Sequence, residues 1–205
     1  MINHNDHLGF FIAVDGPNGA GKSTLISEIK KQLEIKGYNT FITREPTESK
    51  LGNYLRDYAE THKGISVACL VAADRYEHIT NDILPALHEG KIVITDRYIL
   101  SSLILQVMDG VSSDYILSIN SNIVQPDLQL VIFADEIVLQ KRLSERDKLT
   151  RFEKGTQSKN ELSLMEEGIE ILKSKGIDVL SIDNSSNLNE NVTKIISYIV
   201  NRCKL

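Results

Sequence analysis

Two hydrophobic rhythms alternate along this chain. Residues 10–14 (Phe-Phe-Ile-Ala-Val), 91–95 (Lys-Ile-Val-Ile-Thr) and 128–134 (Leu-Gln-Leu-Val-Ile-Phe-Ala) are short, mostly apolar runs. Such runs predict strands buried on both faces, as in a parallel sheet. Elsewhere apolar positions recur every three or four residues. Leu25, Ile26, Ile29 and Leu33 predict a helix that ends near Lys36, with Gly37 as its C-cap. Weaker strand patterns cover 39–43 and 179–182. Helical patterns cover 51–60, 66–89, two stretches of 101–123, 136–145, a segment before 179 and a last one reaching about Cys203. Pro85 should kink the 66–89 pattern, Gly90 should end it, and Pro126 breaks the chain before the third strong run. Strands alternating with helices imply an α/β fold whose parallel sheet is covered on both faces.

Composition narrows this picture. The 205 residues show no internal repeat and no linker, so one domain, 1–205, is expected. A formal net charge of −5 argues against a nucleic-acid surface as the main partner. The apolar run at 10–14 is too short to span a membrane or to serve as a secretion signal, and Cys69 and Cys203 have no metal or redox spacing. The expectation is a cytoplasmic protein with no membrane and no nucleic acid among its partners.

The first strong run is followed by Gly16-Pro17-Asn18-Gly19-Ala20-Gly21-Lys22-Ser23, which fits G-x-x-x-x-G-K-S. Glycines allow successive backbone N–H groups to turn inward around an anion, and the next helix adds its positive N-terminus. Lys22 brings a charge to the β- and γ-phosphates, and the Ser23 hydroxyl suits an Mg²⁺ shell. A nucleoside triphosphate is expected on Gly16, Asn18, Gly19, Ala20, Gly21, Lys22, Ser23 and Thr24. Asp96 ends the second strong run and is placed to hold Mg²⁺ with Ser23; Arg97 beside it can grip a phosphate. Asp15 and Arg44 end strands in the same way. Arg75 lies one turn after Val71 on a largely apolar helix, where it wants an anion, a planar acceptor or a structural carboxylate. Lys141, Arg142, Arg146, Lys148 and Arg151 cluster in an otherwise acidic protein, which suggests either a solvated face or a lid at about 142–159 that closes over the triphosphate.

Taken together these residues resemble the thymidylate kinase family of nucleoside monophosphate kinases. The matching pieces are Phe11 through Thr24, Thr43-Arg44-Glu45-Pro46, Ala72-Ala73-Asp74-Arg75, Ile83-Leu84-Pro85-Ala86-Leu87, Asp96-Arg97-Tyr98 with Ser101-Ser102-Leu103, Pro126-Asp127-Leu128, and Lys141-Arg142 through Arg151-Phe152-Glu153. The resemblance implies a three-layer P-loop kinase fold: a five-stranded parallel sheet flanked by helices, with a short lid. It further implies ATP, Mg²⁺, a homodimer and transfer of the γ-phosphate to dTMP. Catalytic roles would fall to Lys22, Asp96, Arg97, Arg146 and Arg151, with Arg142 on the ATP side. Acceptor contacts would come from Asp15, Asn18, Arg44, Val71, Arg75, Arg97, Ser102 and Leu105.

Departures from the family pattern gather at the acceptor. Asn18 stands where a carboxylate usually meets the 3′-hydroxyl, Val71 where an aromatic usually stacks on thymine, and Leu105 where a tyrosine usually crowds the ribose 2′ position. Thr150 replaces an aspartate, and Thr47-Glu48 replaces Gly-Gly. A kinase of the same fold acting on a different or modified monophosphate, or a nucleotide-binding switch, are therefore the alternatives. The absence of Asn-Lys-x-Asp and Leu-Ser-Gly-Gly motifs argues against a GTPase and a transporter-type ATPase.

Overall fold

A computed structural model describes residues 8–145, 151 and 159–203. Its centre is a parallel sheet of β1 (Phe10–Asp15), β2 (Thr40–Arg44), β3 (Ile92–Asp96), β4 (Leu128–Phe133) and β5 (Val179–Asp183), in the spatial order β2-β3-β1-β4-β5. Alternate residues of β1 enter two separate cores. Phe11 and Ala13 pack on one face with Leu87, Leu100 and Met165; Phe10, Ile12 and Val14 pack on the other with Leu25, Ile29 and Ile195. Burial on both faces is why the central strands read as unbroken apolar runs. The strand β2 at the sheet edge is only partly buried and begins one residue later than its weaker pattern suggests.

Helices α1 (Lys22–Ile35), α2 (Lys50–Thr61) and α3 (Ile65–His78) follow the first strands in turn. The 66–89 pattern is not one kinked helix. After α3 the backbone widens into a π-helical turn, Ile79–Ile83, before α4 (Leu84–His88) resumes. Pro85 has no N–H to give the carbonyl four residues back, and Leu84 N–H donates to Ile79 O instead, so the irregularity precedes the proline. The remaining helices are α5 (Ile99–Met108), α6 (Ser113–Ile119), α7 (Glu136–Ser144), α8 (Lys159–Ser174) and α9 (Leu188–Arg202). No helix among the described residues is long and apolar enough to cross a membrane. Most of the expected lid, including Arg146, Lys148, Thr150, Phe152 and Glu153, lies outside the described residues.

Register places the chemistry. Arg44 pairs with Asp96 and Val14 with Asp96, so the carboxyl ends of β2, β3 and β1 open on one side of the sheet. In open α/β sheets ligands bind on that side.

Candidate active site

The loop after β1 is shaped by close backbone approach. Gly16 has φ 151°, and a Cβ there would stand 2.1 Å from the Ile132 carbonyl oxygen. Gly21, at φ 87°, is the N-cap of α1; it offers no side chain to the first-turn N–H groups, which are left for an anion. A Cβ on Gly21 would stand 2.7 Å from Asn184 Nδ2, because this asparagine braces the loop by donating to Ala20 O at 2.8 Å. Arg142, on α7, donates to Gly19 O and to Asn184 O, both at 3.2 Å. Lys22 is buried, and its Nζ donates to Gly16 O at 2.9 Å and Pro17 O at 3.0 Å.

Ser23 Oγ donates to Asp96 Oδ2 at 3.3 Å, while the buried Oδ1 of Asp96 has no hydrogen-bond partner among the described residues. An orphaned carboxylate oxygen beside a hydroxyl is an all-oxygen donor set of the kind a hard divalent cation takes. Arg97 adopts φ 77°, a left-handed conformation that costs a non-glycine residue strain of about 1–3 kcal/mol. Asn18 and Ser101 hold it there: Arg97 Nη2 donates to Asn18 Oδ1 at 2.5 Å and Nη1 to Ser101 Oγ at 3.1 Å.

A cavity of about 410 Å³ runs from the phosphate loop past Arg97 to a wall built by α2, α3 and α5. Val67 and Val71 from α3 and Leu105 from α5 make this wall apolar. Arg75 is 1% exposed yet lines the same cavity. Its Nε and Nη2 donate to Glu45 Oε2 at 2.9 and 2.7 Å, Nη1 to Asn120 Oδ1 at 2.7 Å and Nη2 to Ser102 Oγ at 3.0 Å. Its guanidinium carbon also lies 5.1 Å from the centre of the Tyr98 ring. Burial works against the Arg75 charge, but the Glu45 carboxylate more than offsets it and holds the guanidinium above its ordinary range. Arg75 thus has the structural carboxylate that the sequence left open, and its position in the cavity wall as well.

Most residues singled out in the sequence converge here. Asn18, Gly19, Gly21, Lys22, Ser23 and Thr24 line one end, Asp96 and Arg97 the middle, and Val71, Arg75, Ser102 and Leu105 the other. Arg44 stands at the rim, largely exposed and 3.5 Å from Glu48. Gly16 and Ala20 do not line the cavity; they shape the loop beneath it.

Two residues fall elsewhere. Asp15, expected at the acceptor, is fully buried away from the cavity: its Oδ1 accepts from Ser101 N–H and Oγ and from Tyr98 N–H, and its Oδ2 from Gln129 Nε2. That carboxylate is consumed in fastening the start of α5. Arg151 does not itself line the cavity but leans on Ala59 and Glu60 of its wall. Its Nη1 and Nη2 each donate to Asp109 at 2.8 Å, and its Nε donates to Ala59 O at 2.8 Å. The hydrogen bonds that Arg151 donates to the Asp109 carboxylate raise the arginine's pKa.

Several further residues stand at or behind the cavity in roles that no sequence signal assigned. Arg56, on α2, lines the cavity and donates to Pro46 O and Thr47 O at 2.5 and 2.7 Å. Asp74 accepts from Thr47 N–H at 2.8 Å and from its hydroxyl at 2.6 Å, which ties the Thr47-Glu48 variation into α3. Gln106 lines the cavity, is 4% exposed, and its Oε1 has no partner among the described residues. Its only clue was position, one turn beyond Ser102 on α5. Burial pushes the Glu161 carboxyl up against the opposing pull of Arg97 and Lys22, so this residue of α8 sits in the field of the site's cations.

A family model described as "Thymidylate kinase" matches residues 14–195. A thymidylate kinase of Caldicellulosiruptor saccharolyticus is 41% identical over 152 residues, which cover 69% of this chain and 74% of that protein. A probable thymidylate kinase of Caldivirga maquilingensis is 34% identical over 198 residues, 95% of each chain. One from Pyrococcus horikoshii is 38% identical over 154 residues, covering 71% and 75%. With the phosphate loop, the Asp96–Ser23 pair and the walled cavity at the carboxyl ends of one parallel sheet, the chain belongs to the thymidylate kinase family.

Proposed function

We propose that this protein transfers the γ-phosphate of ATP to dTMP. The observation that carries the reading is the continuity of one cavity from the phosphate loop to a buried wall holding Arg75, Ser102 and Gln106. ATP enters at the loop, where the α1 N-terminus and Lys22 meet its phosphates. Ser23 and Asp96 would hold Mg²⁺, whose chemistry is to neutralise charge on the phosphates. Arg97 stands between the two ends and grips the acceptor phosphate, so that both reacting groups are oriented before transfer. Phosphoryl transfer is accelerated mainly by such positioning and by charge stabilisation.

At the far end a thymine offers a ring N–H flanked by carbonyl oxygens. The Gln106 carboxamide is complementary to that edge: Oε1 accepts the N–H and Nε2 donates to a carbonyl. Val71 and Leu105 pack against the faces of the ring and the sugar. Asn18 meets the sugar hydroxyl as a neutral group, weaker than a carboxylate. The arginines of the lid at about 142–159, Arg146 and Arg151 among them, add charge in the closed state.

The chain acts as a single kinase domain in the cytoplasm, where the thiols of Cys69 and Cys203, not joined in a disulfide, stay reduced. It pairs with a second copy through the face of α2, α3 and α6, where Tyr54 and Ile65 are 55% and 59% exposed and Tyr115 joins them.

The test is a coupled assay with ATP and a panel of monophosphates: dTMP, dUMP, UMP, dCMP and dGMP. The highest kcat/KM is expected for dTMP. Preference for another base, or no turnover with any member, would refute the reading.

A further inference from the structure

Behind the acceptor wall lies a buried polar chain. Arg75 and His78 are three residues apart on α3, so both face the segment that leaves β2. Glu45 of that segment stands between them. Its Oε2 accepts from Arg75 Nε at 2.9 Å and Nη2 at 2.7 Å, and its Oε1 lies 3.3 Å from His78 Nδ1. On the other side of the ring, His78 Nε2 is 2.7 Å from the Thr43 hydroxyl. A carboxylate can only accept, so Nδ1 carries the proton facing Glu45, while Nε2 shares a hydrogen bond with the Thr43 hydroxyl. Donation then converges on Glu45, from His78 at one oxygen and from Arg75 at the other. His78 is fully buried and lines no part of the cavity.

We propose that His78 is a positioning residue for the acceptor. By holding one oxygen of Glu45, it fixes the carboxylate whose other oxygen orients the Arg75 guanidinium in the cavity wall. The terminal torsion of a glutamate is broad and roughly two-fold, so Arg75 alone does not define its rotation. A ring anchored at both nitrogens to β2 and to Glu45 removes that freedom. Arg75 then presents a fixed surface to the acceptor, and the distant Thr43 hydroxyl belongs to the same support. This role rests on the cavity being the dTMP site, as proposed above.

The experiment compares wild type with His78→Leu, His78→Asn and His78→Gln in the coupled assay, with the melting temperature of each. Leucine keeps apolar volume but neither bond. Asparagine can place an amide N–H near the Nδ1 position, toward Glu45, and glutamine one nearer the Nε2 position, toward Thr43. His78→Leu is expected to raise KM for dTMP about tenfold while KM for ATP stays unchanged, the size of one lost hydrogen bond to a charged group. His78→Asn should recover most of that loss and His78→Gln should not. Equal shifts for both substrates, or equal behaviour of the asparagine and glutamine variants, would overturn the role and leave the ring as packing alone. If the leucine variant does not fold, the asparagine and glutamine pair decides by the same criterion. A wild type that does not phosphorylate dTMP overturns the proposed function and this role with it. Normal wild-type turnover with unchanged KM for dTMP in all three variants overturns only the role of His78.

Discussion

The two ends of the cavity are built in opposite ways. At the phosphate end, one run from Gly16 to Ser23 supplies backbone geometry, the helix N-terminus and the lysine, and the tertiary structure adds braces from Arg142 and Asn184. At the acceptor end no two neighbours in sequence suffice. Arg75 reaches partners 30, 45 and 27 residues away in Glu45, Asn120 and Ser102. The first end depends on backbone and tolerates few side chains; the second depends on side chains that hold one another. Damage should therefore separate cleanly: turnover fails at one end, acceptor affinity and stability at the other.

The largest expected effect tests the phosphate end. Lys22→Ala should fold and lose about a hundredfold or more in kcat, since charge that grows during transfer loses its nearest cation. Steady-state kinetics with the melting curve checks this, and near-wild-type turnover would break the comparison at once.

Next is Arg75→Met, which leaves the buried Glu45 carboxylate without its arginine. Removing one partner of a buried pair costs about 3–5 kcal/mol, so a melting temperature several degrees lower is expected, with a raised KM for dTMP and little change for ATP. Equal losses for both substrates would show that the two ends are not separable.

Gln106→Leu is sharper because its two effects have opposite signs. Oε1 is a buried acceptor with no partner among the described residues, so leucine should leave the melting temperature unchanged or higher. KM for dTMP should rise by about tenfold, the value of the lost pairing to the base. Calorimetry of dTMP binding beside a melting curve reads both. A destabilised variant with unchanged dTMP affinity would place Gln106 in the scaffold.

The smallest effect concerns Val71→Phe combined with Leu105→Tyr. Stacking on a base is worth about 1–3 kcal/mol, part of it spent on fitting two rings into a cavity of about 410 Å³. A severalfold gain in kcat/KM for dTMP and a sharper preference over UMP are expected. A double variant poorer with dTMP would mean that the aliphatic wall is already fitted to its acceptor.

The same contrast explains what could be read beforehand. The strands of 10–14, 91–95 and 128–134 were legible because strands covered on both faces have nowhere to place polar residues. The phosphate-loop motif was legible because its glycines, lysine and serine are contiguous in sequence. Asp15 misled, since an acidic residue at a strand end reads alike whether it faces a ligand or fastens the helix α5. The widened turn at Ile79–Ile83 was equally hidden: proline announces a disturbance without saying on which side the backbone yields.

By itself, then, the order of residues determined the layered α/β fold and the phosphate-loop motif, because each rests on periodicity or on a short contiguous run. Only the tertiary structure decided that Glu45, His78 and Thr43 stand behind Arg75, that Gln106 lines the cavity with an oxygen that has no partner among the described residues, and that Arg97 is strained between Asn18 and Ser101. Those facts depend on which distant elements pack together. A buried polar side chain takes its meaning from the partner that packing brings to it, and no local pattern carries that partner's position.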